Sequence, residues 1–299
     1  MEVKRNSLKA WLLAARPKTL TGAATPVIIA GALAAVTLNA AARPFSFLPF
    51  VLCLSFALIM QVAANFVNDW YDYRRGTDGD DRLGPKRACA EGWVTSRAMF
   101  AATCVALAAA ICVGLPLIAY GGWEMLFVGA ACALFCVLYT TLFSYIGLGD
   151  MLVLLFFGIV PVCVTYYLLV GGLHWQVFLL SVGTGLVVDC LLLVNNYRDR
   201  FTDEACGKKT IVVRLGGAWA ERLYLACGIF GIFSVFPLLI QDASLLLFML
   251  PYLYLHFTSW RKMVAIGKGW ALNAILGETA RNIVVFGVSV SAALLCTLT

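Results

Sequence analysis

Charge is what this sequence has least of. Only 13% of its 299 residues are Asp, Glu, Lys or Arg, 62% are hydrophobic, and the mean hydropathy is +0.89. That balance excludes a soluble globular domain, in which about 25% of residues carry charge. Histidine is scarce too. His174 and His256 stand far apart, without the cysteine or carboxylate spacing of a zinc site, and both are expected at the membrane interface. Cysteine is present 11 times, but most copies lie inside apolar runs, and Cys89 and Cys206 fall in loops expected on the reducing side. No disulfide framework is therefore predicted. Polar linkers and compositional breaks are missing as well, so residues 1–299 are expected to form a single integral-membrane domain.

Apolar helices fill the rest. A spanning helix needs about 20 apolar residues to cross about 30 Å of hydrocarbon. Nine stretches are expected to span: near Leu20 to Leu38, Phe47 to Phe66, Ala98 to Ile118, Met125 to Phe143, Met151 to Val170, Val177 to Val194, Leu223 to Ile240, the shorter Ser244 to Thr258, and Ala280 to Leu298. The expected fold is all-α, a polytopic membrane bundle of nine transmembrane helices. Leu20 to Leu38 is too long for the apolar core of a signal peptide and no cleavage pattern follows it, so it is expected to stay as the first span. Of the 22 basic residues, all but Arg43 lie before the first span or after the second, sixth and eighth. The positive-inside rule then places the N-terminus and these loops in the cytoplasm, with the protein in the cytoplasmic (inner) membrane. The net charge of +6 reads as topology and attraction to an anionic bilayer, not as a nucleic-acid footprint. Leu8, Trp11, Leu12 and Ala15 share one side of a short N-terminal helix, with Lys4, Arg5 and Lys9 elsewhere, which suits the lipid interface. No feature specifies a protein partner.

The few acids are concentrated. Residues 65–82 carry five aspartates, and Asn65, Asp69, Asp72 and Gly76 fall at i, i+4, i+7 and i+11, one face of a helix leaving the membrane. Unpaired carboxylates there repel one another. A hard divalent cation relieves the repulsion, and Mg²⁺ favours one or two carboxylates together with substrate phosphate. A second string, Asn195, Asp199 and Asp203, repeats at steps of four, and Asn65 to Asn195 and Asp69 to Asp199 share an offset of 130 residues, a faint internal echo. Lys208, Lys209 and Arg214 follow directly, which suits a metal-bridged polyphosphate. Asp189 lies seven residues before Asn196. It is expected either to point into the same cavity or to join helices as a neutral, hydrogen-bonded acid. Trp70, Tyr71, Tyr139, Tyr145 and Tyr197 lie beside the motifs, where rings either face a cation or pack.

Four stretches carry a resemblance. They are Trp11 with Arg16-Pro17-Lys18-Thr19-Leu20 and Pro26; Asn65-Phe66-Val67-Asn68-Asp69 with Asp72, Gly76 and Asp78; Gly147-Leu148-Gly149-Asp150 with Phe156-Phe157-Gly158; and Asn195-Asn196-Tyr197-Arg198-Asp199 through Asp203, Gly207-Lys208 and Thr210 to Arg214-Leu215-Gly216. A weaker echo is Leu272-Asn273 with Thr279-Ala280. Together they resemble the UbiA superfamily of intramembrane prenyltransferases, in its naphthoate branch. The resemblance implies nine helices, two aspartate-rich cytoplasmic motifs, and transfer of a polyprenyl group from all-trans polyprenyl diphosphate to 1,4-dihydroxy-2-naphthoate, with loss of CO₂ and release of diphosphate.

It also implies roles. Asp69 and Asp72, with Asn65 or Asn68 and Asp78, hold one Mg²⁺, and Asp199 and Asp203 hold another. The sequence departs from the superfamily pattern at Gly76, where a third aspartate is usual, and has no Lys or Arg between Tyr139 and Gly147. Diphosphate is then expected on Arg16, Lys18, Lys208, Lys209 and Arg214, in a cavity with Asn195, Asn196, Tyr139 and Asp189. Either a motif carboxylate or Asp189 would assist deprotonation of a ring hydroxyl. Two alternatives stay open: another acceptor such as 4-hydroxybenzoate, which would use the same motifs, and a cation-coupled transporter, whose sites lie near the midplane, where Asp189 alone would suit.

Overall fold

In hydrocarbon every backbone N–H and C=O must be satisfied within the chain, so long apolar runs fold as helices. The computed structural model of the protein describes residues 3–76 and 83–298, and among them there is no strand. A short helix α1 (Leu8–Ala15) precedes α2 (Pro17–Ala40), α3 (Phe47–Arg75), α4 (Ser96–Gly121), α5 (Glu124–Phe143), α6 (Gly149–Val170) and α7 (Trp175–Ala205). The short α8 (Ile211–Leu215), then α9 (Gly217–Leu238), α10 (Leu250–Ile266) and α11 (Leu272–Leu298) complete the order. Eight of these are long and apolar enough to cross a membrane. The segment expected as the eighth of nine spans differs: it starts as a 3₁₀ stretch, Ala243–Met249, and continues as the shorter α10, with Pro251 in its first turn. At 17 residues α10 is shorter than the eight, and it carries buried His256 and Ser259 and the basic pair Arg261 and Lys262.

Helix ends follow their capping residues. The Ser7, Thr95 and Thr210 side chains accept from the backbone N–H groups of Ala10, Ala98 and Val213, each satisfying a donor the helix leaves open. Pro17 and Pro251 sit in first turns and Pro116 and Pro237 in 3₁₀ turns, where a missing N–H costs little, whereas Pro161 follows the π turn within α6 and Pro26 lies inside α2.

The core lies on one side of the bundle. There α7 packs along α9, and α2 along α11 and α6, around Ile29, Val162, Tyr166, Leu180, Phe286 and Val290. Small residues let α6 and α7 touch: a Cβ on Gly158 would stand 2.6 Å from the Gly185 Cα. His256 belongs to this packing and not to the interface. Its ring stacks on Tyr224 at 4.7 Å between centroids, and its Nε2 pairs with the Tyr224 carbonyl at 3.1 Å. Gly228 makes the room, since a Cβ there would lie 2.1 Å from that nitrogen. Two π-helical turns, Tyr139–Phe143 closing α5 and Leu155–Ile159 within α6, interrupt the regular ladder beside the cavity described next.

Candidate active site

The helices α2 to α7 and the start of α11 enclose a cavity of about 940 Å³. One end is polar: Asn65, Asn68 and Asp72 from α3 meet Asn195, Asn196, Asp199 and Asp203 from α7, with Arg16, Lys18 and Lys208 around them and Tyr139 alongside. The remainder is apolar and reaches Leu117, Ile118 and Met125 at the turn between α4 and α5. Along α3 its lining runs from Cys53 to Asp72, about 29 Å at 1.5 Å per residue, and α4 contributes only its second half, Leu107 to Ile118.

On α3, Asp72 Oδ2 receives Arg87 Nη2 at 2.7 Å in a largely buried ion pair. The Asn68 carbonyl oxygen accepts from the Thr140 hydroxyl in the π turn of α5. Asn65 also lines the cavity, but its amide stitches α3 to the α1–α2 junction, donating to the Ala15 carbonyl at 2.8 Å and to Thr19 Oγ1 at 2.9 Å. Asp69 departs from expectation. It is 1% exposed and does not line the cavity; its oxygens accept from the N–H groups of Ala88 and Cys89, both at 2.9 Å. Asp78 lies outside the described residues. The helix stops at Gly76, whose φ of +67° closes α3 in the left-handed region that suits glycine.

On α7 one buried arginine organises the string. Arg198 Nε donates to Asp199 Oδ1 at 2.7 Å and Nη2 to Oδ2, while Nη2 also reaches Asn195 Oδ1 at 2.7 Å and Nη1 reaches Asn273 Oδ1 at 2.8 Å. Planar guanidinium is suited to such a fork. Asn273 in turn donates to the Leu83 carbonyl at 2.7 Å, tying the loop after α3 to the start of α11. One turn on, Asp203 pairs with Lys208 at 3.1 Å. Burial opposes the Lys208 ammonium, but Asp203, Tyr145 and Asp72 outweigh it and hold its pKa above the ordinary lysine value.

Lys209 and Arg214, expected on diphosphate, do not line the cavity. The Lys209 N–H donates to the Tyr145 carbonyl at 2.9 Å and Arg214 Nη2 to the Ile146 carbonyl at 2.8 Å. Both shape the mouth by pinning residues 145–147, where the chain passes so closely that a Cβ on Gly147, at φ +84°, would meet the Lys209 carbonyl at 2.0 Å. Asp189 is buried but also off the cavity wall. The wall of α7 is Val188, Leu191, Leu192, Asn195, Asn196, Asp199 and Asp203; Asp189 stands about 20° beyond Asn196 around the helix, just outside the edge of this stripe. Sequence reasoning missed Arg87, Arg198 and Thr140 as site residues. Arg87 had registered only as a topology charge, Arg198 as a topology charge and one residue of the second motif without a role, and no local spacing pairs Thr140 with Asn68.

Comparison with known proteins adds three findings. Residues 26–269 match the UbiA prenyltransferase family. The chain is 35% identical over 228 residues to the 1,4-dihydroxy-2-naphthoate octaprenyltransferase of Haemophilus influenzae, covering 73% of this chain and 72% of that protein. It is 36% identical over 221 residues to the protein of the same name from Mycobacterium tuberculosis, covering 73% and 74%. Among solved structures, a UbiA homologue from Aeropyrum pernix superposes with a TM-score of 0.68 at 16% identity, over 94% of this chain and 98% of that one. A UbiA homologue from Archaeoglobus fulgidus bound to GPP and Mg²⁺ superposes with a TM-score of 0.61 at 13% identity, over 95% and 99%.

Proposed function

This chain belongs to the UbiA prenyltransferase family, and we propose that it transfers a polyprenyl group from a polyprenyl diphosphate to the ring of 1,4-dihydroxy-2-naphthoate, with loss of CO₂ and diphosphate, in menaquinone biosynthesis. One observation carries this reading: a single cavity joins both aspartate strings and a lysine at one end to an apolar channel that runs along α3 from Asp72 back to Cys53 and is walled by Leu107 to Ile118 of α4. That shape suits a substrate with a charged head and a hydrocarbon tail. The names of the naphthoate-specific relatives support the acceptor.

The donor set fits Mg²⁺. Asn68 and Asp72 on α3 and Asp199 and Asp203 on α7 offer only oxygen, and among the described residues no three His, Cys, Asp or Glu side chains converge on one point. Mg²⁺ takes few carboxylates and completes its shell with water and substrate phosphate, and one neighbour in fold is bound to GPP and Mg²⁺ together. When bound it would draw charge from the departing diphosphate.

The chain's own groups do the rest. Arg87 and Arg198 hold the Asp72 and Asp199 carboxylates in place. Lys208, Arg16 and Lys18 offer cations to the phosphate oxygens. The apolar walls hold the tail and keep water from the allylic carbon, and Tyr139 offers a ring to the developing positive charge. By the positive-inside rule this mouth faces the cytoplasm, in the inner membrane.

The test is an assay of purified protein with 1,4-dihydroxy-2-naphthoate and farnesyl diphosphate, with and without Mg²⁺, reading product by mass. A decarboxylated adduct that needs Mg²⁺ is expected. An adduct with 4-hydroxybenzoate alone would move the acceptor elsewhere, and no adduct with any aromatic would remove the reading.

A further inference from the structure

Asp69 belongs to the motif but not to the cavity. The cavity stripe of α3 runs through Cys53, Ala57, Met60, Ala64, Asn68 and Asp72, and Asp69 stands about 60° beyond Asp72 around the helix. Its carboxylate closes on two successive amides, Ala88 and Cys89. Those residues are buried with Val94 against Ala10, Ala14, Phe66 and Met99. Their turn is knitted internally by Glu91 N–H to the Arg87 carbonyl at 3.0 Å and Val94 N–H to the Ala88 carbonyl at 3.1 Å. Arg87 is the residue immediately before the gripped amides, and its guanidinium reaches Asp72, one helical turn from Asp69.

We propose that Asp69 is not a metal ligand but a positioning residue: by holding the Ala88 and Cys89 amides it seats residues 83–95 on the end of α3, so that Arg87 enters the cavity beside Asp72. This role rests on reading the cavity mouth as a diphosphate site. Register supports it independently. Asn68 and Asn195, like Asp72 and Asp199, are 127 residues apart, and in both pairs the carboxylate carries an arginine. In that register Asp69 corresponds to Asn196, an amide, and its carboxylate is left over for the loop.

The experiment uses Asp69→Asn in the full purified chain, a near-isosteric change that keeps one acceptor oxygen and loses the second. Cys89 is read by maleimide labelling and peptide mass, with the exposed Cys206 as internal reference. Labelling of Cys89 should rise about tenfold or more as the turn opens locally, while Mn²⁺ affinity, read by spin resonance, should fall no further than it does in Arg87→Gln, because Asp69 acts on the site only through Arg87. The KM for farnesyl diphosphate should rise more than kcat falls. Cys89 that stays protected, or Mn²⁺ binding weakened roughly tenfold or more beyond the Arg87→Gln level, overturns the proposal. If the variant does not fold, hydrogen exchange on the unaltered protein decides: the Ala88 and Cys89 amides should stay slow when Mg²⁺ and diphosphate are added, and release on their addition overturns it. The labelling, Mn²⁺ and exchange arms do not use the naphthoate, so an error in the acceptor leaves those three readable.

Discussion

The two aspartate strings do the same work with different support. On α7 the amide and carboxylate pair, Asn195 and Asp199, is gripped from within its own helix by Arg198, itself anchored on Asn273. On α3 the matching pair, Asn68 and Asp72, borrows Thr140 from α5 and Arg87 from a loop. Position four after each carboxylate differs as well: Asp203 continues α7, whereas Gly76 ends α3. What recurs is therefore an amide, a carboxylate one turn on, and a guanidinium on that carboxylate. One string is built by its helix; the other is assembled from three separate segments.

Equal chemistry can be broken first. Asp72→Ala and Asp199→Ala should each lower turnover by on the order of 10² to 10³-fold, the scale of losing one electrostatic contact to developing charge, with a folded chain by circular dichroism; one variant near full activity would end the equivalence. Unequal support predicts the next effect. Arg198→Lys loses a four-bond fork that a point charge cannot replace, so turnover should fall about tenfold or more. Arg87→Lys should fall less, and the reverse order in kcat would reject the comparison.

A third test separates stitching from chemistry on one helix. Asn65→Ala should cost about 1–3 kcal/mol of stability by stranding buried partners, read as a lowered melting midpoint. Asn68→Ala should instead cut turnover with little change in the midpoint. Gly76→Ala is the mildest: a Cβ there meets nothing within 4 Å, so only the left-handed backbone is strained, about 1–2 kcal/mol.

Much of this was legible in the chain. Apolar runs gave the long helices, and the acids and amides named their shared end, because hydrocarbon tolerates neither at random. Which acid faces inward was not legible. Asp69 and Asp72 stand about 60° apart on the helix, and only the folded turn at Ala88 and Cys89 claims one of them. Beside the offset of 130 that links Asp69 to Asp199 stands a register of 127, visible once Arg87 and Arg198 are seen on equivalent carboxylates. Of the two places open to Asp189, the structure has the one off the cavity wall, since a step of seven from Asn196 lands at the edge of the stripe and not within it. Lys209 and Arg214 were charges in the right neighbourhood whose side chain or backbone was spent on the turn at Tyr145.

The cavity's two sides differ in a way that bears on how such a protein can change over time. About two thirds of the apolar stretch of α7 is buried (67%), against 6% for α5, and Glu124–Leu138 contains no fully buried side chain. Residues of α5 such as Gly129, Ala133 and Cys136 face the tail's channel, so replacing them alters the fit of a guest while asking little of the host. Changes along 124–138 can retune that wall for a longer or shorter tail, and the mouth, built on α3, α7 and the Tyr139–Thr140 turn that closes α5, need not be rebuilt each time.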